Sequence, residues 1–303
     1  MTGKSEMSTG AVTREISITR FVAAPRDSVF RAWTEAEHLS RWWGPEGFTN
    51  PVCESDPRPG GAIRIVMRGP DGAQYPMAGV YREVVAPERL VVDSIAEDGT
   101  GRAALEAVTT VTFAEREGGT EVVVRETATT LIPEGVPMLG GMEAGMSQSL
   151  QRLEDVLTGA VDRQFVLMRL IEAPRDLVFR AWTQREHVQR WWGPAGFAVT
   201  ITEMDVRPGG SWRFVMHGPD GADHQNVIRY EEVAPPQRLV YTHEDPSFRT
   251  IVTFDDFMGS TVLTMRNMFP TAQDRDRAAA RYDAVNGANQ TLDRLAEHAR
   301  AMR

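Results

Sequence analysis

Apolar and polar positions alternate along most of this chain, and the alternation breaks into short runs. Ile16 to Val22 opens the pattern and Phe165 to Ile171 repeats it, each reading as a strand. In Ser211 to His217, the residues Trp212, Phe214 and Met216 share one face, with Ile63, Ile65 and Met67 at the matching places upstream. Met77, Gly79 and Tyr81 line one side of the next run, matched by Asn226, Ile228 and Tyr230. Further strands are expected at 90–94 and 239–243, at 108–113 and 250–254, and at 121–127 and 261–268. Two stretches follow helical spacing instead. Met142, Met146, Leu150, Leu153 and Leu157 mark one helix face, and Tyr282, Val285, Leu292 and Leu295 mark another.

The pattern occurs twice. Arg41-Trp42-Trp43-Gly44-Pro45 returns as Arg190-Trp191-Trp192-Gly193-Pro194, 149 residues later. Ala24-Pro25-Arg26-Asp27, Arg58-Pro59-Gly60-Gly61 and Gly69-Pro70-Asp71-Gly72 recur at the same offset. Past Leu90 the offset falls to 141 (Phe113 against Phe254), so the first copy carries eight extra residues around 96–107, read as a longer hairpin. Pro25 and Pro174 suit a first helical turn. Thr34 with Glu37, and Thr183 with Glu186, have capping-box spacing, which predicts a second short helix ending at the Trp pair. Gly145 and Gly287 stand at equivalent places inside the long helices, where Gly costs about 1 kcal/mol against Ala. They therefore imply a kink or a close approach. The order strand, two helices, several strands, long helix is an α+β pattern with a meandering antiparallel sheet. The expected organisation is a lead at 1–14 with little to bury, a domain at 15–158, a linker at 159–164 and a second domain at 165–303.

Composition narrows the function classes. The chain of 303 residues is 42% hydrophobic and 25% charged, with a net charge of −9. No basic stripe is present to neutralise phosphates, so no nucleic-acid partner is expected. No apolar run is long enough for a bilayer span, so no membrane partner is expected either. A single cysteine, Cys53, excludes an internal disulfide and any multi-cysteine metal site. The polar N-terminus has no apolar signal region, and the expected location is the cytoplasm. Nucleophile-elbow, phosphate-loop, dinucleotide and zinc-protease motifs do not occur, and no cofactor or metal is implied.

Ala-Pro-x-x-x-Val-Phe-x-Ala-Trp-Thr, Trp-Trp-Gly-Pro, Asp-x-Arg-Pro-Gly-Gly and the late Gly-x-x-x-Ser-Leu-x-x-Leu together resemble the family named for the activator of the Hsp90 ATPase. That family belongs to the START/Bet v1-like, or helix-grip, superfamily. The resemblance spans 16–157 and 165–300. It implies two tandem helix-grip domains, each a curved sheet of about seven strands around a long C-terminal helix, with a ligand cavity between them. Members bind lipids, hormones or polyketides, and some act as cyclases or self-resistance proteins. The co-chaperone role belongs to eukaryotic members with an additional N-terminal domain, which no stretch here resembles. In the second copy Met146-Ser147-Gln148-Ser149-Leu150 becomes Ala288-Asn289-Gln290-Thr291-Leu292.

The expected partner is a hydrophobic or aromatic small molecule, a polyketide-like natural product or precursor. The alternatives are a cyclase/dehydratase-type enzyme using the same cavity, and a protein-interaction module. Candidate ligand-binding residues in the first copy are Trp33, Trp43, Met67, Met77, Tyr81, Met142 and Met146. Those in the second are Trp182, Trp192, Trp212, Phe214, Met216, Asn226, Tyr230, His243 and Tyr282. One Trp of each pair is expected in the core and the other at the cavity. Asn226, His224 and His243 have no counterpart in the first copy, so the second pocket is expected to be the more polar. No catalytic residue is assigned, though Tyr230 with His243 could move protons.

Overall fold

The computed structural model describes residues 11–257 and 259–303, with the side chains at 281 and 282 set aside. The chain divides into two compact units after Gly159. In the first unit the strands are β1 (Thr13–Val22), β2 (Thr49–Ser55), β3 (Ala62–Arg68), β4 (Gln74–Val85), β5 (Arg89–Glu97), β6 (Ala103–Arg116) and β7 (Gly119–Thr130). In the second they are β8 (Gln164–Ile171), β9 (Ala198–Met204), β10 (Ser211–His217), β11 (Asp223–Ala234), β12 (Arg238–His243), β13 (Phe248–Phe257) and β14 (Ser260–Met268).

Each sheet is a seven-stranded antiparallel meander closed by its first strand, in the order β1-β7-β6-β5-β4-β3-β2 and β8-β14-β13-β12-β11-β10-β9. The edge strands β2 and β9 escape the alternation rule. In β2, Pro51 interrupts the ladder and the register slips between Thr49 and Val52, as fits a strand edge that needs fewer donors. The extra residues of the first copy mostly lengthen the β5–β6 arms, which run 9 and 14 residues against 6 and 10 for β12–β13. Strand β1 starts at Thr13, three residues before the alternation begins, and pairs Thr13 with Thr129. Residues 1–10 of the expected lead lie outside the described residues.

The short helices are α1 (Arg26–Thr34), α2 (Ala36–Trp42), α4 (Arg175–Thr183) and α5 (Arg185–Trp191). The predicted capping boxes do not form. Thr34 and Thr183 are the last residues of α1 and α4, and their hydroxyls donate back to Phe30 O (2.9 Å) and Phe179 O (2.8 Å). Glu35 and Gln184 take the cap positions without a side-chain bond. A threonine already bonded one turn back cannot cap the next helix.

The long helix of the first unit is α3 (Val136–Thr158); in the second unit it is split into α6 (Ala272–Tyr282) and α7 (Ala284–Ala301). The predicted continuous face from Tyr282 to Leu295 therefore breaks at Asp283, whose φ of 46° is left-handed, a conformation Asp tolerates better than most residues. The Tyr282 side chain lies outside the described residues. Leu150 and Leu153 on α3, and Leu292 and Leu295 on α7, are fully buried in the main core of each unit with inward residues of the sheet.

Why the Trp-Trp-Gly-Pro loop faces an interior glycine is now plain. A Cβ on Gly287 would stand 3.2 Å from Pro194 Cγ, and one on Gly145 3.4 Å from Pro45 Cγ. The glycines permit close approach. Arg152 and Arg294 then clamp the loops. Arg152 donates to the carbonyls of Gly44 (2.9 Å) and Pro45 (2.8 Å), and Arg294 to those of Gly193 (2.7 Å) and Pro194 (2.9 Å). Gln148 and Gln290 accept from the Glu46 and Ala195 amides.

Candidate functional site

Between sheet and helix of the second unit lies a cavity of ≈ 540 Å³, within the range of small-molecule sites. Strands, helices and loops share its wall. Trp182 from α4 and Trp192 after α5 contribute the indoles, Phe214 and Met216 come from β10, and Met265 and Asn267 from β14. Small residues of α7, among them Ala284, Gly287 and Ala288, form the helical side. An aromatic row closes another side. The His243 imidazole stacks on Phe248 (4.1 Å, 18°), Phe248 on Phe269 (5.1 Å, 28°), and Phe269 meets Phe165 edge-on at 5.4 Å.

Each Trp pair divides its labour. Trp42 and Trp191 are core residues whose indole N–H groups donate to Ala32 O and Ala181 O, both at 2.8 Å. Trp43 is half-buried against the first core, and Trp192 reaches the cavity wall. Trp192 packs on Trp212 (4.7 Å) and on Trp182 (5.7 Å).

Of the second-copy candidates, Trp182, Trp192, Phe214, Met216, Asn226 and His243 line the cavity. Trp212 and Tyr230 are not on its wall. Trp212 is fully buried behind it and stacks on Phe214 at 4.3 Å. Tyr230 is buried with its hydroxyl unpartnered, and burial pushes its pKa upward. Its ring meets Tyr241, not His243, so the Tyr230–His243 pair does not assemble. In the first unit Trp33, Met77, Tyr81 and Met146 belong to the buried core, with Trp43, Met67 and Met142 packed against it. The Tyr81 hydroxyl shares a hydrogen bond with Ser55 at 2.9 Å.

The polar groups of the second cavity follow from cross-strand register. Tyr230, Tyr241, Thr250, Asn267 and Phe165 stand opposite one another in sequence across β11, β12, β13, β14 and β8. The Thr250 hydroxyl donates to Asn267 Oδ1 at 2.8 Å. This bond fixes the amide and leaves the Asn267 NH₂ as a donor at the cavity wall. Asn226 is oriented oppositely, since its NH₂ donates to His224 O at 2.9 Å and its carbonyl remains an acceptor. Burial drives the His243 imidazole down to about 3, so the ring is neutral at ordinary pH. Asp223, His224 and Asp245 also reach the wall, and among the described residues no Arg or Lys does.

The sequence reading missed Tyr241, Thr250 and Asn267, and it missed their first-copy counterpart. The matching rung there is Tyr81, Val92, Thr109, Glu126 and Ile16. Glu126 stands where Asn267 does. It follows Val122 and Val124 on the inward face of β7, and desolvation pushes its carboxyl up to about 7. The signal was the 141-residue offset, which pairs Glu126 with Asn267. The helical sides differ as well: Met142 and Met146 occupy the places of Ala284 and Ala288, and Met77 that of Asn226.

Cys53 is half-buried, and its thiol is pushed up to about 11 by burial and by Glu54, which disfavours the reactive thiolate. Among the described residues no group of three or more His, Cys, Asp or Glu could hold a metal ion. No described helix is long and apolar enough to cross a membrane.

Among solved structures, a protein from Rhizobium leguminosarum is 27% identical, covering 50% of this chain and 97% of its own, with a TM-score of 0.45. One from Chromobacterium violaceum is 28% identical over 47% and 96%, with a TM-score of 0.41. One from Nitrosomonas europaea is 22% identical over 47% and 97%, at 0.44. A search of curated proteins gives no match. The description "Activator of Hsp90 ATPase homolog 1-like protein" fits residues 23–158 and again 172–300; with both units covered, the chain belongs to that family, twice over.

Proposed function

We propose that the protein binds a neutral, largely aromatic small molecule in the cavity of its second unit, and so serves the biosynthesis, carriage or self-protection of a polyketide-like natural product. The observation that carries this reading is the ≈ 540 Å³ space with its aromatic wall and fixed polar ends. The donor of Asn267 and the acceptor of Asn226 suit a planar molecule with a carbonyl at one side and a hydroxyl at another. Among the described residues the wall carries Asp223 and Asp245 and no Arg or Lys, which disfavours an anion. Ala288→Met is the test variant, since the first unit carries Met146 at that place. Native mass spectrometry of the full chain from its producer should show a co-purifying mass, lost in Ala288→Met. Retention of the same mass by that variant would exclude this cavity as the site.

A cyclase-type enzyme is the second reading. It is favoured by one observation: the neutral His243 imidazole faces the cavity, and no described residue hydrogen-bonds it. Burial that holds the ring near 3 also weakens it as a base, so it could take a proton only from a strongly activated carbon acid. Turnover unchanged in His243→Gln would sink it.

A further inference from the structure

The first unit buries a carboxyl that nothing uses. Glu126 lies on the inward face of β7 between Val124, in the main core, and Ala128, in a small neighbouring cluster. Met142 of α3 packs against both clusters and so spans the Glu126 position. No described residue pairs with the carboxyl or hydrogen-bonds it, although the residue keeps part of its surface accessible. The charged groups around it are committed elsewhere. On the same face of β1, Arg14 bonds the carbonyls of Leu139 and Gly140 and the Glu143 carboxylate of α3. Arg20 bonds Ser147 and Gln151 of α3. On β4, Tyr81 is held by Ser55. The inward residues of β5 and β6 nearby, Val92, Ser94, Ala107 and Thr109, carry no charge.

We infer that the first unit holds a second ligand site, at Glu126, which takes an apolar molecule bearing a protonated amine. A lone carboxylate in an apolar setting is costly, and a cation is the partner that relieves the cost. The surrounding wall suits such a guest. Met142, which spans the Glu126 position, and Met77 and Met146 of the same core are unbranched and can rotate aside for it. The other unit presents a neutral amide, Asn267, at the same place. The two copies thus differ at this rung: an amide in the second, a carboxyl in the first. This inference stands independently of the second-unit reading.

The test uses the full chain with 13C-methyl-labelled methionine, assigned by single Met→Leu replacements. Phenethylamine is the cationic probe and 2-phenylethanol its neutral match. Phenethylamine should shift the methyls of Met77, Met142 and Met146. Its affinity should rise about 30-fold from pH 5.5 to 8.5, following ionisation of a carboxyl near 7. Glu126→Gln should weaken the amine at least about tenfold at pH 8 and flatten its pH profile, the loss of one partly buried charge pair. Absence of binding at millimolar probe, equal affinity in Glu126→Gln, or shifts confined to Met216 and Met265 would each overturn the inference. Shifts of Met216 and Met265 by phenylethanol report the second-unit site separately. Should Glu126→Gln not fold, the wild-type pH profile and the identity of the shifted methyls still decide.

Discussion

Glu126→Gln has a second consequence, readable without any ligand. In the unfolded chain this carboxyl ionises near its ordinary 4.5, whereas in the folded unit it ionises only near 7. Below pH 4.5 both states are protonated and the residue costs nothing. As pH rises from 4.5 to 7 the unfolded state loses its proton first, and stability drains from the fold. Above 7 the penalty is constant, because both states are then charged. The interval between the two values corresponds to about 3 kcal/mol. Glutamine has the same shape and no charge, so the variant should recover that amount at pH 8 and nothing at pH 4. Hydrogen exchange of β6 and β7 peptides isolates the first unit, and comparing the two proteins at each pH cancels the intrinsic exchange rates. Protection in the variant should exceed wild type by about 300-fold at pH 8, the factor equivalent to an interval from 4.5 to 7. The two should coincide at pH 4. A difference independent of pH, or none at pH 8, would show that the carboxyl is solvated and would remove the basis for a site there.

The second unit should respond to acid through His243. Its folded value near 3 lies below the ordinary 6.5, so the unfolded state gains a proton first, and stability should fall as pH drops below 6.5. His243→Phe should abolish this acid sensitivity in exchange of β12 and β13, and an unchanged slope would refute the buried neutral ring. Gly287→Ala should lower the thermal midpoint, by about 1 kcal/mol of stability, because its Cβ would crowd Pro194 at 3.2 Å. Gly140→Ala, where a Cβ meets nothing within 4 Å, should raise stability by a similar ~1 kcal/mol. Equal effects at the two glycines would contradict the close approach of loop and helix.

What could be read from the sequence divides along a physical line. Strands with one buried face show themselves by alternation, which is why β3 and β10, with Ile63, Ile65 and Phe214 inward, were plain. Strand β2 was not, because Pro51 and a half-open edge blur the contrast, and β9 alternates only at Val199 and Ile201, too short a run to stand out. The glycine pair was legible as a close approach, though its partner, the proline two places beyond the tryptophans, needed three dimensions. The α6–α7 break was hidden, since apolar spacing continues across Asp283 and only the backbone turns there. Site residues were hardest where their meaning is relational. Asn267 reads as one polar residue at a strand end until register sets it beside Thr250 and Tyr241. Glu126 likewise reads as a solvated glutamate until β7 turns its face inward.

Duplication is what makes these relations interpretable. The elements that hold the loop to the helix are the same in both copies: Trp-Trp-Gly-Pro, the glycine opposite the proline, the glutamine and the arginine. Positions that line the second cavity divide: Trp182, Trp192, Phe197 and Met216 match Trp33, Trp43, Phe48 and Met67, whereas Ala284, Ala288, Asn226 and Asn267 stand against Met142, Met146, Met77 and Glu126. A clamp has one geometry to satisfy, so change there costs stability in either copy. An inward wall position has only to fill or line a space, and it can change size and charge while the core below it, from Leu150 and Leu153 to Leu292 and Leu295, stays packed. Changes of size and charge at these four wall positions, over a common clamp and a common set of aromatics, are the arrangement expected of two units that hold different guests.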